Sequence, residues 1–147
     1  MGKHNKRMIK GFTLVEILIV VAIIGIIAGF GLPGYEKMVR KAHERNAILG
    51  LTSIHQANEI YEAKMGVYLP GTGLTLAQIN SGLSIDVKAL SMNYAYTRNG
   101  GDPLLYTATS AWAGGGVFTV LVDERSLSLG GNNPCCSAGA CPSLPAC

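Results

Sequence analysis

The sequence predicts an α+β fold: one long N-terminal helix, membrane-spanning in its first half and amphipathic in its second, packed on a small antiparallel β-meander head. Three observations predict it. An almost unbroken apolar run extends from Phe12 to Leu32. Apolar side chains then recur at helical spacing as far as Met65. Beyond Gly66 the pattern changes to short runs rich in Tyr, Thr and Val, separated by turn residues.

The apolar run is about 20 residues long, enough to cross a bilayer. A short basic head, Lys3-His4-Asn5-Lys6-Arg7-Met8-Ile9-Lys10, precedes it. Within the run the only clearly polar side chains are Thr13 and Glu16. A carboxylate in a bilayer-length apolar helix costs roughly 2.5 kcal/mol or more, so Glu16 is a functional residue by expectation. Its own helix offers it no partner, and one is expected from elsewhere. A secretory signal peptide would have a shorter apolar core followed by a small-residue cleavage site, and no Ala-x-Ala follows here. An ordinary signal anchor fits the length but gives no reason for Glu16 or for the Gly11-Phe12 junction.

The stretch from Gly25 to Gly34 holds Gly29, Gly31 and Pro33 as well. In a helix interior each glycine costs about 1 kcal/mol and a proline about 3. Membrane helices tolerate both, so a continuous or kinked helix is expected, with Gly25 to Pro33 able to extend. A second helical segment follows from Tyr35 to Met65. Ile48, Leu51, Ile54, Tyr61 and Met65 form its apolar stripe, with Ala47 and Ala57 as small packing neighbours. Arg45, Gln56, Asn58, Glu59 and Glu62 read as the opposite, solvated face. His43 and His55 lie about three turns apart, too far to share a metal, and read as surface or packing residues.

Gly66-Val67-Tyr68-Leu69-Pro70-Gly71-Thr72-Gly73 ends the helix. Leu74 to Leu83 suggests a short helical turn capped by Thr75. Strands are expected over Asn93–Thr97, Leu104–Thr109 and Val117–Val122, with a weaker fourth over Ser126–Leu129. Asn99-Gly100-Gly101-Asp102-Pro103, Gly114-Gly115-Gly116 and Asp123-Glu124-Arg125 are the intervening turns. Three or four strands joined this way make an antiparallel meander.

The tail from Asn132 to Cys147 has no apolar periodicity and holds all the cysteines, Cys135, Cys136, Cys141 and Cys147. Such a cluster suits an oxidising compartment. Four cysteines allow three pairings; the vicinal Cys135–Cys136 pair is strained, which leaves two. Either staples the tail into compact loops. A four-thiolate zinc site is the rival, although the usual C-x2-C knuckles are missing.

Basic residues flank the span on both sides, Lys3, Lys6, Arg7 and Lys10 before it and Lys37, Arg40, Lys41 and Arg45 after it. They do not orient it. The cysteines do, and they place the head outside the cytoplasm. The net charge of +3 belongs to the whole chain. After Gly11 there remain eight basic residues against nine acids, a charge of −1. The pI of 8.7 is therefore no argument for nucleic-acid binding.

The residues Gly11-Phe12-Thr13-Leu14-Val15-Glu16, behind a short basic leader and ahead of an apolar helix, resemble the processing site of the type IV pilin and pseudopilin family. The resemblance is specific from Gly11 to Pro33 and looser beyond, where Tyr68 and Pro70 are similar to the family's exit from the long helix. It implies a leader over residues 1–11, an assembly helix over 12–34, an amphipathic helix over 35–66 and a globular head over 67–147. It also implies cleavage between Gly11 and Phe12 by a membrane-embedded prepilin peptidase, with methylation of the new Phe12 amine. Glu16 would then pair with the Phe12 ammonium of a neighbouring subunit, since two buried charges that meet on docking reward correct placement. Gly25, Gly29, Gly31 and Pro33 would mark a segment that melts on assembly. The implied partners are further copies of the chain, the peptidase, the membrane, and an inner-membrane assembly platform with its motor.

No Gly-rich phosphate loop, HExxH pair or nucleophile elbow is present, so an enzyme is not expected. Asp102, Asp123 and Glu124 lack the pattern of a calcium loop, and neither metal nor cofactor is expected. Two readings from different classes remain. One is a structural subunit of a type IV pilus, or of a type II secretion pseudopilus, carried first in the inner membrane and then in the filament. The other is a monomeric, membrane-anchored binding module. Polymerisation needs Glu16, whereas an anchored module does not.

Overall fold

The computed structural model describes residues 12–101, 105–112, 114, 118–124 and 133–147, the side chains of residues 30–33 excepted. The expected α+β architecture is present: a long N-terminal helix and a five-stranded antiparallel sheet. The chain divides into two compact units, Met1–Tyr35 and Glu36–Cys147.

Helix α1 (Leu14–Met65) runs through both, passing Gly25, Gly29, Gly31 and Pro33. In the first unit its side chains over residues 14–29 are exposed. No single helix is by itself long and apolar enough to cross a membrane among the described residues. Leu14–Gly29 and Gly34–Met65 taken together meet the length and composition of a span. The helix ends where Gly66 takes a left-handed φ of 73° and its N–H returns to the Glu62 carbonyl at 2.7 Å. Only glycine adopts that conformation without cost.

In the second unit β1 (Leu74–Thr75), α2 (Leu76–Leu83), β2 (Asn93–Arg98), β3 (Tyr106–Trp112), β4 (Phe118–Asp123) and β5 (Cys135–Gly139) follow α1. The strands lie in chain order across the sheet, every pair antiparallel. Alternation fixes which face is inside: Tyr94 and Tyr96 on β2, Tyr106 and Ala108 on β3, and Phe118, Val120 and Val122 on β4 are all buried. Ala47, Leu51 and Ile54 of α1 pack into the same core. Thr75 caps α2 as expected; the Gln78 Oε1 accepts from the Thr75 N–H at 2.9 Å and from its hydroxyl at 2.8 Å.

Several expectations need correction. Met65 is 63% exposed and leaves the apolar stripe, because it lies in the last turn beyond the sheet-facing residues. Asn58, placed on the solvated face, is fully buried, and its partners are described below. The tail is more than loops: Cys135–Gly139 adds strand β5, with Phe118 opposite Gly139 and Leu121 opposite Cys135. Main-chain pairing to an open edge needs no apolar alternation, which is why the sequence pattern was silent there. The strand expected over Leu104–Thr109 occupies Tyr106–Trp112. The fourth run, Ser126–Leu129, lies outside the described residues, as do the leader and Asp102.

Candidate assembly site and the clasp of the head

The N-terminal segment presents a row of bare apolar side chains. Phe12 is 77% and Leu14 81% exposed, and Val15, Ile17, Leu18 and Ile19 are exposed with them. Among these stands Glu16, and here the structure corrects the sequence reading: its own helix does offer it a partner. Glu16 Oε2 accepts from the Thr13 N–H and from the Thr13 hydroxyl, both at 3.1 Å. The Glu16 N–H in turn donates to Thr13 Oγ1 at 3.2 Å. Thr13 and Glu16 therefore form a capping box at the start of α1, with the carboxylate at the positive end of the helix dipole. Its signal, a threonine three residues before a glutamate, was present in the sequence. The second oxygen, Oε1, has no partner among the described residues.

Gly25 and Gly29 are exposed, with open space where a side chain would stand. They sit in the helix together with Gly31 and Pro33. Gly11 lies outside the described residues.

In the head, a second carboxylate does something the sequence reading overlooked. Glu44 on α1 is fully buried. Its Oε1 accepts from the backbone N–H groups of Ser143 and Leu144, each at 3.0 Å, and its Oε2 from the Ser143 hydroxyl at 2.9 Å. Three donors make a buried carboxylate tolerable and fix the tail against the helix. The tail itself is closed by two disulfides, Cys135–Cys147 and Cys136–Cys141. This is one of the two pairings the sequence left open. It leaves no thiolate for zinc, since all four sulfurs are bonded. The returning chain also covers the outer edge of β5, where the Cys136 N–H donates to the Pro145 carbonyl at 2.7 Å and the Cys147 N–H to the Cys136 carbonyl at 3.2 Å.

A polar network ties the same helix to the sheet lower down. Asn58 Nδ2 donates to the Tyr96 hydroxyl at 3.0 Å, while its Oδ1 accepts from the Leu69 N–H at 3.0 Å. His55 Nδ1 is hydrogen-bonded to the Tyr106 hydroxyl, and the Tyr68 hydroxyl donates to Glu59 at 2.7 Å. Tyr106 stacks on Tyr96 at 5.4 Å and meets Tyr68 edge-on at 4.7 Å. Burial pushes the Tyr96 hydroxyl up to about 12. It raises Tyr68 and Tyr106 as well, helped in both by the Glu59 charge. His43 stacks face to face on Trp112 at 4.6 Å, and His55 is buried, so both histidines are packing residues. Among the described residues no three His, Cys, Asp or Glu side chains stand together as metal ligands.

Glu44, Ala47, Leu51, Ile54 and Asn58 follow one another at steps of three and four. The spacing that revealed the apolar stripe thus also contained its two polar members.

The chain thus joins an exposed apolar N-terminal helix, with a capping carboxylate in its first turn, to an α+β head. Residues 6–32 match the family described as the prokaryotic N-terminal methylation motif. Over 65 residues the chain is 35% identical to the type II secretion system core protein G of Vibrio cholerae, covering 43% of this chain and 44% of that protein. It is 44% identical over 43 residues to the type IV major fimbrial protein FimA of Dichelobacter nodosus, 29% of this chain and 27% of that one. With the type IV major pilin protein PilE1 of Neisseria gonorrhoeae it shares 50% identity over 40 residues, 27% of this chain and 24% of PilE1. The chain thus spans less than half the length of these curated relatives. No solved structure matches it. By its N-terminal motif, and at low identity over less than half of its length, the chain is similar to type IV pilins and to a type II secretion core protein.

Proposed function

We propose that this chain is a type IV pilin. In this reading a prepilin peptidase cuts between Gly11 and Phe12 and methylates the new Phe12 amine. The apolar helix holds the subunit in the inner membrane with its head on the periplasmic side. An assembly platform and motor then draw it into a helical homopolymer on the cell surface. Gly25, Gly29, Gly31 and Pro33 serve as the stretch that extends on assembly.

The observation that carries the reading is Glu16. It stands in a bare apolar segment, capped on one oxygen by Thr13 and, among the described residues, open on the other. Lipid tails are as apolar as leucine, so a helix leaving the membrane for a filament gains little from hydrophobic burial alone. Packing and a buried charge pair must supply the difference, and an Oε1 without a partner among the described residues supports that role. The disulfide-closed tail supports a filament exposed outside the cell.

The major pseudopilin of a type II secretion system is the second reading. It is favoured by the match to core protein G, which extends over 65 residues and so runs past the N-terminal motif. Intact mass of the fraction sheared from native cells separates the two. A subunit found there, cut before Phe12 and about 14 Da heavier from one methyl group, supports the pilus. The same processed species found only in membranes supports the pseudopilus. An uncut chain overturns both.

A further inference from the structure

We infer that Asn99 is a self-modifying site, where the folded head converts its own side-chain amide to a carboxylate with no enzyme and no reactant but water. This goes beyond the filament reading and does not rest on it. Asn99 is followed by Gly100 and Gly101, and it is the only Asn-Gly pair in the chain. It lies one residue past the end of β2, where its N–H is held by the Leu105 carbonyl at 2.8 Å. All three residues are exposed.

The local geometry favours the reaction at both ends. Asn99 Oδ1 accepts from the Gly101 N–H at 3.0 Å, which draws electron density from Cγ and makes that carbon the better electrophile. The nucleophile is the Gly100 nitrogen, whose N–H has no partner among the described residues. Gly100 carries no side chain to block its approach, and a Cβ built there meets nothing within 4 Å. The Asn99 Nδ2, the leaving group, is likewise unbonded among the described residues.

The other described asparagines are held back. Asn58 and Asn80 each have both amide atoms hydrogen-bonded, Asn80 to the Val87 backbone at 2.9 and 3.1 Å. Asn133 precedes Pro134, whose nitrogen bears no hydrogen to lose. Asn46 and Asn93 lie within a helix and a strand, before residues with side chains.

The step balances without any change of oxidation state. The Gly100 nitrogen gives its proton to water and forms a bond to Asn99 Cγ. The Cγ–Nδ2 bond breaks, Nδ2 takes up a proton, and ammonia leaves a five-membered succinimide. Water then opens the ring at either carbonyl. Opening at Cγ yields aspartate; opening at the main-chain carbonyl yields isoaspartate, with the backbone rerouted through the side chain. Either product adds one negative charge at the lip of a cleft lined by Arg98, Asp123 and Glu124.

The test is to age the purified full-length protein in detergent at neutral and at mildly acid pH, reading intact mass over days. The expected result is a species about 1 Da heavier, forming faster at the higher pH, together with one labelled site when isoaspartyl methyltransferase and methyl-labelled S-adenosylmethionine are added. Digestion in acid, which does not itself drive the reaction, should place the change at Asn99. Asn99→Gln should abolish it. Gly100→Ala, which the open space accommodates, should slow it several-fold while leaving the fold intact. A folded protein of unchanged mass, beside an unfolded control that gains the mass, would overturn the proposal. So would equal ageing of wild type and Gly100→Ala, or a gain located elsewhere.

Discussion

The Glu44 carboxylate and Ser143, 99 positions apart in sequence, meet through two hydrogen bonds of 3.0 and 2.9 Å. They join the middle of the long helix to the last turn of the chain. Because the tail is itself tied to β5 by the Cys135–Cys147 bond, the contact closes a circuit from helix to tail to sheet. Glu44 occupies a core position without being apolar, and the donors around it are what permit this.

Removing the acceptor should therefore open the circuit. In Glu44→Ala the two backbone N–H groups lose their partner, and the expected cost is about 2–3 kcal/mol in unfolding free energy. Glu44→Gln keeps one carbonyl oxygen for the backbone donors and should lose less. Denaturant unfolding of the detergent-solubilised protein, followed by fluorescence of Trp112, reads both. Equal stability of wild type and Glu44→Ala would show the clasp to be incidental.

The two disulfides should contribute unequally. Cys135–Cys147 spans 12 positions and Cys136–Cys141 only 5, and a larger closed loop restrains the unfolded chain more. Cys147→Ser should cost about 3 kcal/mol and Cys141→Ser clearly less. Cys147→Ser also frees the segment that Glu44 holds, so its effect and that of Glu44→Ala should sum to more than the double variant loses. Strict additivity of the two would mean that clasp and disulfide act independently.

Alkaline pH should undo the helix–sheet network. A tyrosine ionises near 10 when unfolded, whereas Tyr96 in the fold is pushed up to about 12 and Tyr68 and Tyr106 are raised too. Between those values the unfolded chain has released protons that the folded chain still holds. Stability is thus fully present below pH 10 and is lost as pH rises toward 12 and beyond. Phenolate absorbance should show these tyrosines ionising together with loss of the helix signal. Their smooth titration near pH 10 in a still-folded protein would contradict the burial argument.

Much of this was legible in the sequence, and what was not had a common physical reason. Periodicity exposed Leu51 and Ile54 as core, and turn residues bracketed β2 and β4, because apolar burial leaves a repeating trace. Strand β5 left none: it pairs through its backbone beside a cysteine cluster. Glu44 and Asn58 were passed over because a polar side chain on a helix is taken as solvated unless its hydrogen-bond partners are known. Those partners, Ser143 and Tyr96, lie far along the chain. Thr13 and Glu16 were the opposite case, since their pairing is local and its spacing stood in plain view.

That local pairing yields the sharpest test of assembly. Glu16 has two separable tasks in the proposed filament: capping its own helix through Thr13, and meeting the Phe12 ammonium of a neighbour. Glu16→Gln separates them. The glutamine oxygen still accepts from the Thr13 N–H and hydroxyl, so the start of α1 and the cleavage after Gly11 should be retained. The negative charge is gone, and a buried ammonium left without a counter-charge costs several kcal/mol. Processed subunit should therefore accumulate in the membrane, and sheared filaments should be lost. Glu16→Ala should lose filaments too and weaken the cap as well. Thr13→Val, which removes the hydroxyl and keeps the charge, should weaken the cap by about 1 kcal/mol while filaments persist. Normal filaments from Glu16→Gln would mean that the cap alone is the function of this carboxylate.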